Sequence, residues 1–216
     1  MFQKVIELIL LFIHKFNSMK PLTIFLLSIS TLSFANAQEA NSGDYYYQIP
    51  ASPTEYTATN VVARMVDGLG FRYYWASEGL RPEDLAFKPN EEARTLEETI
   101  DHILGLSTVI INSVTDTPNI RSANVVEMTY EEKRAKTLDN IKRSSEILKK
   151  SSTKDLENFN LVFQNQKNTT EYPFWNQING PIEDAVWHSG QIVSLRRTAG
   201  NPFDSKVSLL RGKRRE

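Results

Sequence analysis

Apolar residues recur at helical spacing in four separate segments of the chain. These segments run from Tyr56 to Gly79, Thr95 to Val114, Thr129 to Lys150 and Tyr172 to Ala199. A helix of about 20 residues is roughly 30 Å long, so the segments are similar in length to the helices of a small bundle. No segment shows sustained alternation of apolar and polar residues. The pattern therefore predicts an all-α fold, an up-down four-helix bundle.

Local signals mark the ends of these helices. Thr95 and Glu98 have the spacing of a capping box at the start of the second helix. The fourth helix is interrupted at Gly180-Pro181, where it must kink or restart because proline lacks a backbone N–H. Residues 115–124 are interpreted as a loop, and residues 151–170 show no clear period.

The N-terminus has the features of an export signal. After Met19, which we interpret as the true initiator, come Lys20, an apolar run from Leu22 to Leu32 and the cleavage motif Ala35-Asn36-Ala37. We therefore expect residues 1–37 to be a signal peptide and 38–55 a flexible leader. Residues 56–213 are expected to form the bundle, in the periplasm or secreted. The alternative is an uncleaved membrane anchor.

Composition removes several classes of function. The net charge of −1 over 216 residues indicates neither nucleic-acid nor membrane binding, and the basic C-terminus RGKRRE is interpreted as a solvated tail. The chain has no cysteine, which excludes a cysteine nucleophile, thiolate metal ligands and covalently attached c-type haem. The motif Ser151-Ser152-Thr153-Lys154 matches S-x-x-K, but it lacks the S-D-N and K-T-G companions of a serine acylase.

Polar residues occupy one stripe of the fourth helix. Asp184, His188, Gln191 and Leu195 are spaced by three or four residues and share a face. His102, in the second helix, is the other histidine expected in the mature protein. Spacing alone also allows a purely structural interpretation, in which Asp184 stabilises the helix start and His188 is a half-buried core residue.

Two blocks of the chain resemble a known family. LRPEDLAFKPNEEARTLEETIDHILGL and WNQINGPIEDAVWHSGQIVSLRRTAGNP are similar to the DinB-like superfamily of bacterial four-helix bundles, which includes the YfiT-like metal-dependent hydrolases. The histidine of that family's second helix matches His102, and the last histidine of its H-x-x-x-H pair matches His188. The first histidine of the pair is replaced here by Asp184.

The resemblance implies a metal site. His102, Asp184 and His188 would form a two-histidine, one-carboxylate site for a divalent ion: Zn, Ni, Mn or Fe. Gln191 and Glu98 are the candidate catalytic residues, and Trp187 is a further candidate for contact with the ligands or the substrate. The implied activity is metal-dependent hydrolysis of an unidentified small molecule, and a homodimer is a further expectation.

Other functions remain open at this stage. A non-catalytic bundle could keep the polar stripe as a vestige held by hydrogen bonds. Non-covalent haem between His102 and His188 is another alternative, as is a non-haem iron site with oxygen chemistry.

Overall fold

A computed structural model of the chain describes residues 45–120 and 127–216. The expected signal peptide, residues 1–37, lies outside the described residues. Residues 38–44 of the expected leader also lie outside them, and so do residues 121–126, which include the end of the expected loop. In the part that is described, no helix is long and apolar enough to cross a membrane.

The described residues are mostly helical, as the sequence predicts. Four helices are long, and two shorter helical pieces precede the second and the fourth of them. Their bounds are α1 (Ala58–Ser77), α2 (Pro82–Leu85), α3 (Leu96–Val114), α4 (Tyr130–Lys150), α5 (Trp175–Gln177) and α6 (Glu183–Thr198).

The four long helices pack around one apolar core. Helices α1 and α3 each contact both α4 and α6. The core residues come from inward faces at helical spacing, and their burial is the main stabilising contribution. Fully buried members include Val66, Leu69, Ile100, Ile103, Leu138, Ile141 and Ile192.

Threonine side chains begin three of the long helices. The capping box predicted at α3 is confirmed: Glu98 N donates to Thr95 Oγ1 at 3.0 Å, and Thr95 N donates to Glu98 Oε2 at 2.7 Å. Thr129 and Glu132 form the same arrangement at α4. These bonds satisfy N–H groups that the first turn of a helix leaves unpaired.

The predicted break in the last helical segment is also present. A π turn, Ile178–Ile182, separates α5 from α6, and Gly180 within it has non-helical φ and ψ of −97° and −106°. Pro181 is buried in this turn and donates no backbone hydrogen bond. The turn resets the register of α6 relative to α5.

Short strands lie where the sequence shows no strand pattern. Strand β2 (Leu161–Gln164) pairs with β1 (Asn119–Ile120) in parallel and with β3 (Thr169–Tyr172) antiparallel. A second pair, β4 (Val207–Ser208) and β5 (Lys213–Arg214), is antiparallel. These strands are too short and too exposed for an alternating pattern to develop, since Leu161 is the one buried residue of β2 and β3.

Part of the expected flexible leader is packed onto α1. Tyr46 is fully buried, and its hydroxyl donates to Asp67 Oδ1 at 3.1 Å. Burial raises the pKa of Tyr46 well above its usual value, and the neighbouring Asp67 adds to this effect. Trp75 Nε1 donates to the carbonyl of Tyr47 at 3.1 Å. The Tyr46 ring lies directly over Gly70, where a side chain would occupy its space.

Replacing Gly70 with alanine should therefore destabilise the protein. The added Cβ overlaps the Tyr46 ring, and such overpacking typically costs about 1–3 kcal/mol. Gly105→Ala is the matched control, since Gly105 is also in the interior of a long helix but, among residues 45–120 and 127–216, no atom lies within 4 Å of the added Cβ. That variant should gain about 0.5–1 kcal/mol. Urea denaturation measures both; equal stability changes would contradict the contact with Tyr46.

The buried carboxylate of Asp84 connects the segment before α3 to the residues that follow α6. Asp84 is fully buried and accepts from Arg81 Nη2 at 2.8 Å and from Asn201 Nδ2 at 2.7 Å. Its hydrogen bonds with Arg81, the largest influence, hold the pKa of Asp84 well below its usual range. The charged form is therefore favoured in the folded state.

Because the folded-state pKa of Asp84 is depressed, its contribution to stability is present above the unfolded pKa of about 3.9 and is lost as pH falls further. Asp84→Asn should lower the free energy of unfolding at pH 7 by about 1.5–3 kcal/mol. The difference from wild type should shrink below about pH 4. Glu83→Gln is the control: its side chain is 63% exposed, so loss of its ion pair with Arg81 should cost less than about 1 kcal/mol. A pH-independent difference for Asp84→Asn would contradict the mechanism.

Candidate metal centre

Two packed helices bring three metal-ligating side chains to one place. His102 lies on α3, and Asp184 and His188 lie one turn apart on α6. Asp184 Oδ2 is 3.1 Å from His102 Nε2, and Asp184 Oδ1 is 3.3 Å from His188 Nε2. The structure thus brings together the three residues that were predicted as metal ligands, from positions 82 residues apart in the chain.

The geometry of the three groups is close to that of a coordination shell. Their ligand atoms all lie within 4.8 Å of one another. Ligands at about 2.0–2.2 Å from a tetrahedral ion are themselves roughly 3.4 Å apart, similar to the two distances from Asp184. The rings of His102 and His188 have centroids 4.6 Å apart and are almost perpendicular, at 88°. Both Nε2 atoms face the same carboxylate.

Gln191 orients one of these ligands. His188 Nδ1 is 2.7 Å from Gln191 Oε1. The amide oxygen accepts a hydrogen bond, so the proton is placed on Nδ1 and the lone pair on Nε2, on the side of Asp184. Metal-binding histidines commonly use their second nitrogen in this way. Of the residues predicted to support the site, Gln191 is the one with a direct contact to a candidate ligand.

The cluster is partly exposed to solvent. The side chains of His102, Asp184 and His188 are 33%, 41% and 16% exposed, so the site is reachable without being on the open surface. Trp187, which precedes His188, is 78% exposed. Gly190 is also exposed, and no atom of the described residues lies within 4 Å of the position of a Cβ there. The three groups are therefore accessible to a small molecule.

The other acids near His102 have structural roles. Asp101 and Glu97 both pair with Lys133 of α4, at 2.8 Å and 3.0 Å. The candidate catalytic residue Glu98 is exposed and uses its carboxylate in the capping box of α3. Asp184 is therefore the acid that is directed at the histidines.

The S-x-x-K motif lies at a helix end. Ser151 is the C-cap of α4, and Ser152 begins the short 3-10 turn Thr153–Glu157, where its hydroxyl donates to Asp155 Oδ2 at 2.9 Å. Both serines are thus accounted for by the end of α4 and the start of the turn that follows it.

No known protein family, curated protein or experimentally determined structure matches the chain significantly. The DinB-like assignment therefore stays a prediction, which rests on the two sequence blocks quoted above.

The contact between Gln191 and His188 predicts a single imidazole tautomer. In wild-type protein free of metal, at a pH where the ring is neutral, His188 should carry its proton on Nδ1. Gln191→Leu should remove this preference, whereas Ser194→Ala, an exposed change on the same helix, should leave it unchanged. Long-range nitrogen–proton NMR correlations of the imidazole distinguish the tautomers. A mixed tautomer population in wild-type protein would contradict the assignment.

Proposed function

We propose that the four long helices form a DinB-like four-helix bundle that holds one divalent metal ion between His102, Asp184 and His188. The resemblance of the two sequence blocks supports the family, and the packing of α3 against α6 supports the ligand set. The proposal also includes export of the protein and hydrolysis of a small molecule as its activity.

The observation that carries this proposal is the carboxylate placed between two imidazoles. Each oxygen of Asp184 faces an Nε2 atom at hydrogen-bond distance. The contact from Gln191 leaves a lone pair, and no proton, on Nε2 of His188. A lone pair facing a carboxylate oxygen is repulsive unless a cation or an added proton lies between them. A divalent ion bound by all three groups removes this repulsion and uses every donor.

The nitrogen and oxygen donors of the site suit a metal ion of intermediate hardness. Two imidazole nitrogens and one carboxylate oxygen suit Zn, Ni, Mn or Fe, whereas a Ca site would need more oxygen ligands. Three protein ligands leave coordination positions open, which is typical of catalytic sites and not of structural ones. Such an ion would supply Lewis-acid catalysis for attack of water on a carbonyl or phosphoryl group.

The chain's own residues have distinct roles in this proposal. Gln191 is a positioning residue, because it acts on the reaction through His188. Trp187 precedes His188 in the chain and its indole is exposed, so we assign to it contact with the apolar part of a substrate. Glu98 is engaged by the helix cap, so we assign it no step.

A second interpretation uses the same distances without a metal. Contacts of 3.1 Å and 3.3 Å are also within hydrogen-bond range. His102 could donate to Asp184 from a proton on Nε2, and His188 could donate once its ring carries a proton on both nitrogens. The cluster would then be a surface hydrogen-bond network in a non-catalytic bundle. The two interpretations differ in what the loss of Asp184 does to metal binding.

Metal titration of single variants tests the proposal. Untagged wild-type protein, stripped with a chelator, should bind one Zn per chain in isothermal titration calorimetry. Asp184→Ala and His188→Ala should each lower the affinity by at least about 100-fold, since each removes a ligand. Asp184→His, which restores two histidines one turn apart, should keep or tighten binding. Competition titrations with Ni and Mn on the same samples then rank the metals.

Glu183→Ala is the matched control for Asp184→Ala. Both acids lie in the first turn of α6 and favour its dipole, an effect of about 0.3–1 kcal/mol on stability. The control should lose that stability and keep its metal affinity. Wild-type protein that binds no metal, or Asp184→Ala that binds as tightly as wild type, would refute the metal site and favour the hydrogen-bond network.

A further inference from the structure

A separate cavity of about 550 Å³ lies beside the start of α1. Three parts of the chain form its walls: the first two turns of α1, the 3-10 turn after α4, and the segment that contains α5. None of His102, Asp184 and His188 lines it. The lining residues are Ala58, Val62, Thr153, Leu156, Glu157, Asn160, Pro173, Phe174, Trp175 and Ile178.

The inner part of the cavity is apolar. Val62 and Phe174 are buried members of the core, and Leu156 and Ile178 pack against that core. Small-molecule sites in proteins are typically concave, about 300–1,000 Å³ in volume and mostly apolar, with a few polar groups at defined positions. The volume and the lining of this cavity both fall in that class.

Two exposed side chains at the cavity, Trp175 and Glu157, are available to contact a ligand there. Trp175 is 77% exposed although it adjoins the buried Phe174. Glu157 is the one charged residue among those lining the cavity, and within residues 45–120 and 127–216 its carboxylate has no hydrogen-bond or ion-pair partner. An exposed indole beside an apolar cavity and an unpaired carboxylate at the same cavity are complementary to one kind of ligand.

We propose that this cavity binds an organic cation, an amine or quaternary ammonium carried on an apolar body. The apolar body would fill the space between Val62, Phe174 and Ile178. The cationic group would pair with the Glu157 carboxylate and contact the face of Trp175, the aromatic side chain that best binds cations. A neutral apolar ligand would leave both groups unused, and an anion would be repelled by Glu157.

This site does not depend on the metal centre. Its residues come from α1, from the 3-10 turn with Asn160 after it, and from the segment 173–178 that contains α5. The candidate ligands come from α3 and α6. Ile178 begins the π turn that ends immediately before α6, so the two sites share one chain segment but no residue.

Calorimetric titration with n-octylamine hydrochloride, below its micelle concentration, tests the proposal on the full chain. Wild-type protein should bind one molecule and should bind n-octanol about tenfold more weakly, since one charge pair and one cation–π contact are lost. Glu157→Gln should remove the part of the amine's advantage over the alcohol that comes from the charge pair, and leave the part that comes from the cation–π contact with Trp175. Glu127→Gln, an exposed acid that does not line the cavity, should leave both affinities unchanged.

A filling variant shows whether the cavity itself is the site. Ala58→Phe places a large side chain at an exposed lining position, so it should keep the fold, checked by circular dichroism, and abolish binding of both probes. The proposal is overturned if n-octanol binds as tightly as n-octylamine, if Glu157→Gln changes neither affinity, or if no saturable binding occurs. It is also overturned if Ala58→Phe converts a dimer to a monomer, which would show that a second copy occupies the cavity.

Discussion

The position of α6 between α1 and α3 is the constraint on which the rest of the structure depends. Two buried polar side chains anchor this helical segment at its ends. Gln177, before the π turn, donates from Nε2 to the carbonyl of Ile110 on α3 at 3.2 Å. Arg196, near the end of α6, donates from Nη1 to the carbonyl of Ala76 on α1 at 2.9 Å. A buried donor left unpaired is destabilising, so each anchor disfavours sliding of the helix.

Between these anchors, the register of α6 determines where the candidate metal centre lies. A slip by one residue rotates a helical side chain by about 100° and would turn Asp184 away from His102. The π turn at Gly180-Pro181 matters for the same reason, because it takes up an extra residue before α6 begins. Single π turns inside helices are frequently found at functional sites, where they redirect side chains that a regular helix would place elsewhere.

The same segment links the two features proposed as binding sites. Ile178, the first residue of the π turn, lines the cavity beside α1. Asp184, two residues after the end of the turn, belongs to the candidate metal centre. One site is a cluster of nitrogen and oxygen donors open to solvent, and the other is a mostly apolar space with one acid at its wall. The two proposed sites therefore differ in the type of ligand that they would recognise, although one irregular helical segment contributes to both.

Local features of the sequence predict the helices and their ends. The apolar period of each long helix, the capping box at Thr95 and the break at Gly180-Pro181 depend on neighbours within a few residues. The pairing of Asp184 with His188, and of His188 with Gln191, is local in the same sense, since residues three or four apart share a helix face. Tertiary structure decides the rest. Tyr46 is buried because Gly70 leaves space for its ring, and the strands from β1 to β3 pair across distant segments. His102 meets Asp184 only because α3 packs against α6, and spacing along one helix carries no information about which face of another helix it will meet.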